Sequence, residues 1–171
     1  MSKDELILYA TPTGAFADAC ERYWAVLDAL GSPTTAQTYP PHCTLTGFFH
    51  RALTDVPRVV GEVAAMSKRI GDLVVSRAQL DVIADWVGFV LESRFFEAAI
   101  EEFVSSHVLG EGDDPIRAKS WLHLSLSYGQ GADPERHRAE AERIFEGVVP
   151  TSWSLDLWRR RSDGWYRLRT E

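Results

Sequence analysis

Cysteine is scarce in this chain of 171 residues. Cys20 and Cys43 are the only two, too few for a disulfide framework. No apolar run approaches the roughly 20 residues that span a bilayer. The opening MSKDELILYATP lacks a long apolar segment ahead of a small-residue cleavage site, so no secretory signal is expected. Neither a CxxC nor an HExxH pattern occurs, which removes the commonest zinc signatures. Positive charge is in deficit: 18 Lys and Arg stand against 25 Asp and Glu, a formal net charge of −7. Proteins that grip long nucleic acid through its phosphates present a basic surface. A long nucleic-acid partner is therefore disfavoured, while a small phosphorylated molecule is not. With no membrane segment either, a cytoplasmic monomer is the simplest expectation.

What is present suits one globular domain over residues 1–171. Apolar residues make up 45% and charged residues 25%, in the ordinary range, and the length allows a sizeable core. Strand formers fill 5–11. Apolar residues at helical spacing (Phe16, Ala19, Cys20, Tyr23, Trp24, Leu27) predict a helix over 15–29, followed by a loop to Pro41 and a strand over 42–50. Thr54 is expected to cap a helix reaching about residue 70, and 73–84 reads as a longer strand. The series then restarts: a strand over 86–93, a helix over 94–109 capped by Ser93, a strand over 121–129 and a helix over 134–146. A final hairpin is expected to turn at Asp163-Gly164. The order strand, helix, strand, helix, strand thus occurs twice, giving approximate repeat units 5–84 and 86–169.

At an offset of 81 residues, His42 falls on His123, Thr44 on Ser125 and Thr46 on Ser127, and the first strands align Leu6 with Val87 and Leu8 with Phe89. In a strand, residues i and i+2 share a face, roughly 6.5 Å apart. His42 and Thr44 therefore point one way and Cys43 and Leu45 the other. His123 and Ser125 likewise oppose Leu122, Leu124 and Leu126. If the halves meet about an approximate twofold axis, two imidazoles and two hydroxyls converge on one space. One imidazole can accept a proton while the other donates, and the hydroxyls can hydrogen-bond phosphate oxygens. This scheme calls for no metal or cofactor. His42 and His50 would lie roughly 26 Å apart along an extended strand, too far to share an ion. Either His-x-Thr/Ser alone reads as a chance tripeptide with a structural histidine; two in equivalent strands do not.

At these residues the sequence resembles the two-histidine phosphoesterase superfamily, marked by paired H-x-T/S motifs about half a protein apart. PPHCTLTGFF and HLSLSYG are similar to its cyclic phosphodiesterase branch, although Leu122 stands where several relatives have proline. The resemblance implies an α+β bilobal fold, with two antiparallel sheets facing a central cleft and helices outside. It implies hydrolysis of a small 2′,3′-cyclic nucleotide or of ADP-ribose 1″,2″-cyclic phosphate without a metal. His42 and His123 would be the acid–base pair, Thr44 and Ser125 the phosphate binders, and Tyr128 a further pocket residue. Other branches of the superfamily process RNA ends or 2′-5′ linkages, and a non-catalytic nucleotide- or RNA-binding module is the alternative from another class. In-line attack places base and acid on opposite sides of phosphorus, with His123 expected as base and His42 as acid.

Around this core, Tyr9 and Trp86 are candidates to stack on a base, although strand aromatics are more often core. Arg117 and Lys119 sit on a loop that could gate the cleft, and loop cations are usually only solvated. Arg159, Arg160 and Arg161 would alternate across the last hairpin. His50, His107 and His137 are expected to be structural or exposed, and Trp121 shares parity with His123 at the cleft wall.

Overall fold

A computed structural model describes residues 3–106, 114–129, 133–150 and 152–168. It is an α+β fold of four helices and an eight-stranded antiparallel sheet. The elements are β1 (Lys3–Pro12), α1 (Gly14–Ala29), β2 (Cys43–Thr44), β3 (Phe49–Ala52), α2 (Val56–Ile70), β4 (Arg77–Ile83), β5 (Trp86–Glu92), α3 (Arg94–Ser105), β6 (His123–Ser127), α4 (Pro134–Ile144), β7 (Trp153–Arg161) and β8 (Gly164–Leu168). A short 3₁₀ turn over Thr35–Thr38 lies in what the sequence presents as loop. His107 lies outside the described residues. No helix among the described residues is long and apolar enough to cross a membrane.

The strands run in the order β4-β5-β6-β2-β1-β7-β8, with β3 paired to β1. The expectation of two separate sheets is thus replaced by one hydrogen-bonded sheet. Its two parts join where Cys43 on β2 pairs with Leu124 on β6. The expected strand 42–50 is broken for a local reason. The N–H of Leu8 donates to the Thr46 hydroxyl at 3.1 Å instead of to a strand carbonyl. β2 and β3 therefore lie end to end along the same edge of β1, pairing with Tyr9–Ala10 and Lys3–Leu6 respectively. The first strands also correspond at a different offset. Tyr9 faces Thr44 and Gly88 faces Ser125, so β1 and β5 are related by 79 residues while the motifs are related by 81. A two-residue difference leaves each side chain on its own face.

Alternation then divides the sheet. Leu6, Leu8, Cys43, Leu45, Phe89, Leu124 and Leu126 belong to one buried cluster with Phe16, Cys20, Val59, Phe96, Phe103 and Ala141 of the helices. All four helices thus cover the same face. Ser93 caps α3 by accepting from the N–H of Phe96 at 3.2 Å, whereas Asp55 rather than Thr54 precedes α2. The final hairpin turns through Ser162 and Asp163, with Gly164 already paired to Arg161. Removing a buried leucine such as Leu124 to alanine costs about 2–5 kcal/mol in such a core. The opposite face of the β2–β6 seam is left for polar residues.

Candidate active site

The seam positions the motif residues. Cys43 and Leu124 are Cα partners, both fully buried on the helix side. Extending that antiparallel register one residue each way sets His42 beside Ser125 and Thr44 beside His123. Neighbours across a ladder share a face, so the four side chains form a square on the side away from the core. They line one cavity of about 320 Å³ together with Tyr39, Trp86 and Tyr128. Six of the seven residues singled out from the sequence meet there. Tyr9 does not line it; it lies against His42 and borders an adjoining cavity instead.

Each imidazole is dressed in the same way. Nδ1 of His42 is 2.7 Å from the Pro40 carbonyl, and Nδ1 of His123 is 3.1 Å from the Trp121 carbonyl. A carbonyl only accepts, so each Nδ1 carries a proton and donates it. In the neutral ring this fixes Nε2 as the atom with the free lone pair. Each ring is also stacked: His42 on Tyr9 with centroids 3.9 Å apart at 24°, His123 on Trp121 with centroids 3.8 Å apart at 24°. The aromatic partners come from different places, Tyr9 from the adjacent strand and Trp121 from two residues earlier in the same chain segment.

Burial disfavours the charged form of both rings. It pushes His42 down to about 4, with the Pro40 carbonyl opposing the change and the nearby charge of His123 adding to it. His123 is also lowered, first by burial and then by Lys119, against the Trp121 carbonyl. Both are therefore neutral at pH 7 in the free protein. An anion between them would reverse the balance by favouring protonation.

The hydroxyls are presented as donors. The Trp86 indole N–H donates to Ser125 Oγ at 2.8 Å, which occupies an oxygen lone pair and leaves the Ser125 proton free for an incoming oxygen. This contact requires glycine at 88. A Cβ there would come within 2.3 Å of the Leu124 carbonyl and 2.5 Å of the Trp86 ring. Tyr128 is fixed by its backbone: its N–H donates to Thr34 Oγ1 at 2.9 Å, and its carbonyl accepts from the Thr35 N–H at 3.2 Å. Burial, and Tyr39 beside it, push the Tyr128 phenol up, so it stays a neutral donor.

Sequence reasoning missed Tyr39, which meets His42 edge-on at 6.3 Å. It also missed the carbonyls two residues before each histidine. That shared i−2 position was the available signal. The remaining candidates sit elsewhere. His50 meets Asp114 at 2.6 Å on the surface. His137 is buried between the hydroxyls of Ser127 and Ser32, each at 2.8 Å. Arg159 pairs with Asp4 and Arg160 with Glu5, while Arg161 lies over Tyr166. Among the described residues no group of three or more His, Cys, Asp or Glu is arranged to hold a metal ion. No protein-family model matches the sequence and no curated protein matches it, so the chemistry of the site is read from its geometry.

Proposed function

We propose that the protein is a cyclic phosphodiesterase that opens a small 2′,3′-cyclic or ADP-ribose 1″,2″-cyclic phosphate by acid–base catalysis, giving a phosphomonoester. The observation that carries this reading is the matched pair of imidazoles on one cavity, each stacked on an aromatic ring and held through Nδ1. No carboxylate among the described residues lines that cavity, although the chain has 25 acidic residues. Such a lining suits an anion.

In the proposed reaction, water attacks phosphorus as Nε2 of one histidine takes its proton. The opposite P–O bond breaks, and the second Nε2 gives its proton to the departing ribose oxygen. Thr44, Ser125 and Tyr128 donate to the non-bridging oxygens, where charge develops. The base must be neutral, and His42 is the more deeply buried of the two rings. We therefore assign His42 as base and His123 as acid, the reverse of the expectation from sequence. We also read the chain as an internal duplication with two lobes. Exchanging β1 with β5, β2 with β6 and β4 with β7 leaves the order β4-β5-β6-β2-β1-β7 unchanged, and the pseudo-twofold axis would pass through the seam.

The test is incubation with 2′,3′-cyclic mononucleotides, ADP-ribose 1″,2″-cyclic phosphate and 2′-5′ oligonucleotides, with and without EDTA. Monoester formation from a cyclic phosphate, unaffected by EDTA, is expected. Cleavage of the oligonucleotides alone would favour an RNA-processing role. Binding without turnover would favour a nucleotide-binding module, and loss of activity in EDTA would defeat the metal-independent scheme.

A further inference from the structure

A second cavity, of about 290 Å³, adjoins the first and shares Tyr39, His42, Thr44 and Tyr128 with it. Phe48, Arg117 and Lys119 close its other side. The two cations are held there by the backbone. The Gly47 N–H donates to the Arg117 carbonyl at 2.8 Å, the Lys119 N–H donates to the Leu45 carbonyl at 3.0 Å, and Thr46 bridges Ala118. Segment 117–119 is thereby zipped onto the strand break that follows Thr44. Glycine at 47 makes room for the guanidinium, since a Cβ there would lie 3.3 Å from Arg117 Nε.

Elsewhere arginines find carboxylates: Arg69, Arg77, Arg138, Arg143 and Arg159 each face one. Among the described residues neither Arg117 nor Lys119 forms an ion pair with a carboxylate; Lys119 also borders a separate cavity lined by Glu97 and Glu101, but no Asp or Glu lines this one. In a chain of net charge −7, two cations with no ion-pair partner among the described residues, beside a cavity that no described carboxylate lines, create a local positive field.

We infer that the second cavity is a subsite for a further, non-reacting phosphoryl group of the substrate, bound by Arg117 and Lys119 while the cyclic phosphate lies between His42 and His123. The inference rests on the proposed phosphodiesterase reading and narrows its substrate class to nucleotides with two separate phosphoryl centres. A guanidinium fork and an ammonium suit phosphate oxygens, the first bidentately and the second as a point charge. Occupancy also serves the reaction. Lys119 disfavours the protonated form of His123, and a bound anion neutralises that charge, leaving His123 better able to hold the proton it must donate.

The experiment measures calorimetric binding of adenosine 2′,5′-bisphosphate and adenosine 2′-monophosphate to the full chain, wild type and the variants Arg117→Gln and Lys119→Gln, at fixed ionic strength. The wild type is expected to bind the bisphosphate at least about tenfold more tightly, and each variant to bring that ratio toward one. Equal affinities in the wild type, a ratio untouched by both variants, or no binding of either probe would overturn the subsite. A parallel assay compares adenosine 2′,3′-cyclic phosphate with and without a 5′-phosphate. Preferential binding with no turnover of either would retain the subsite and refute only the hydrolytic reading.

Discussion

The His42 and His123 sides of the site hold their rings alike and surround them differently. Both rings are stacked at 24°, and both give Nδ1–H to the carbonyl two residues earlier. Yet His42 leans on Tyr9 from a neighbouring strand, whereas His123 leans on the half-exposed Trp121 of its own segment. Beyond His42 lie Arg117 and Lys119. Beyond His123, Trp86 reaches over Gly88 to Ser125. What stays constant is the orientation of the imidazole; the means of achieving it are free to vary. The flanks thus differ around two similarly held rings, to which the proposed reaction assigns the opposite roles of base and acid.

Breaking either side should expose this division of labour. The largest effect is expected from His42→Ala and His123→Ala, each lowering kcat for ring opening by about 10²–10⁴-fold. A variant that keeps near-normal turnover would dissolve the pairing. Next come Ser125→Ala and Thr44→Val, expected to lower kcat/KM by roughly 10–100-fold through lost hydrogen bonds to phosphate oxygens. Trp86→Phe keeps the ring but removes the donor to Ser125. It should cost about 3–10-fold, and none of that cost should persist in a Ser125→Ala background. Additive losses there would show that Trp86 acts by another route.

The smallest effect concerns stability. His42 titrates near 4 when folded and near 6.5 when unfolded, so the unfolded chain takes up this proton first as pH falls. Its contribution is fully present above about pH 6.5, declines between there and about pH 4, and is constant below. The loss is on the order of 3 kcal/mol. Denaturant midpoints of the wild type and His42→Asn, compared at pH 7, 5.5 and 4, should diverge in that window, and saturating phosphate should narrow the divergence. Parallel pH curves would contradict the buried, neutral state of His42.

The face of each motif residue was legible in the sequence because strand alternation is local. His42, Thr44, His123 and Ser125 on one side and Cys43, Leu124 and Leu126 on the other follow from parity alone. The helical stripes were legible for the same reason. The single sheet was not, since it depends on a long-range pairing through a strand as short as Cys43–Thr44. Nor was the break after Thr44, which a side-chain hydroxyl creates by capturing a backbone N–H from β1. The Trp86–Ser125 contact depends on a ladder register shifted by two residues and on the missing side chain of Gly88, neither of which periodicity reports.

The central claim is that two imidazoles address one anion, and nitrogen-detected NMR of His42 and His123 during titration with inorganic phosphate tests it most directly. Both Nε2 resonances should shift along one binding curve of 1:1 stoichiometry at pH 7, both Nδ1 atoms should remain protonated, and both ring pKa values should rise when phosphate is bound. Separate binding curves, or a response from one ring alone, would contradict the account.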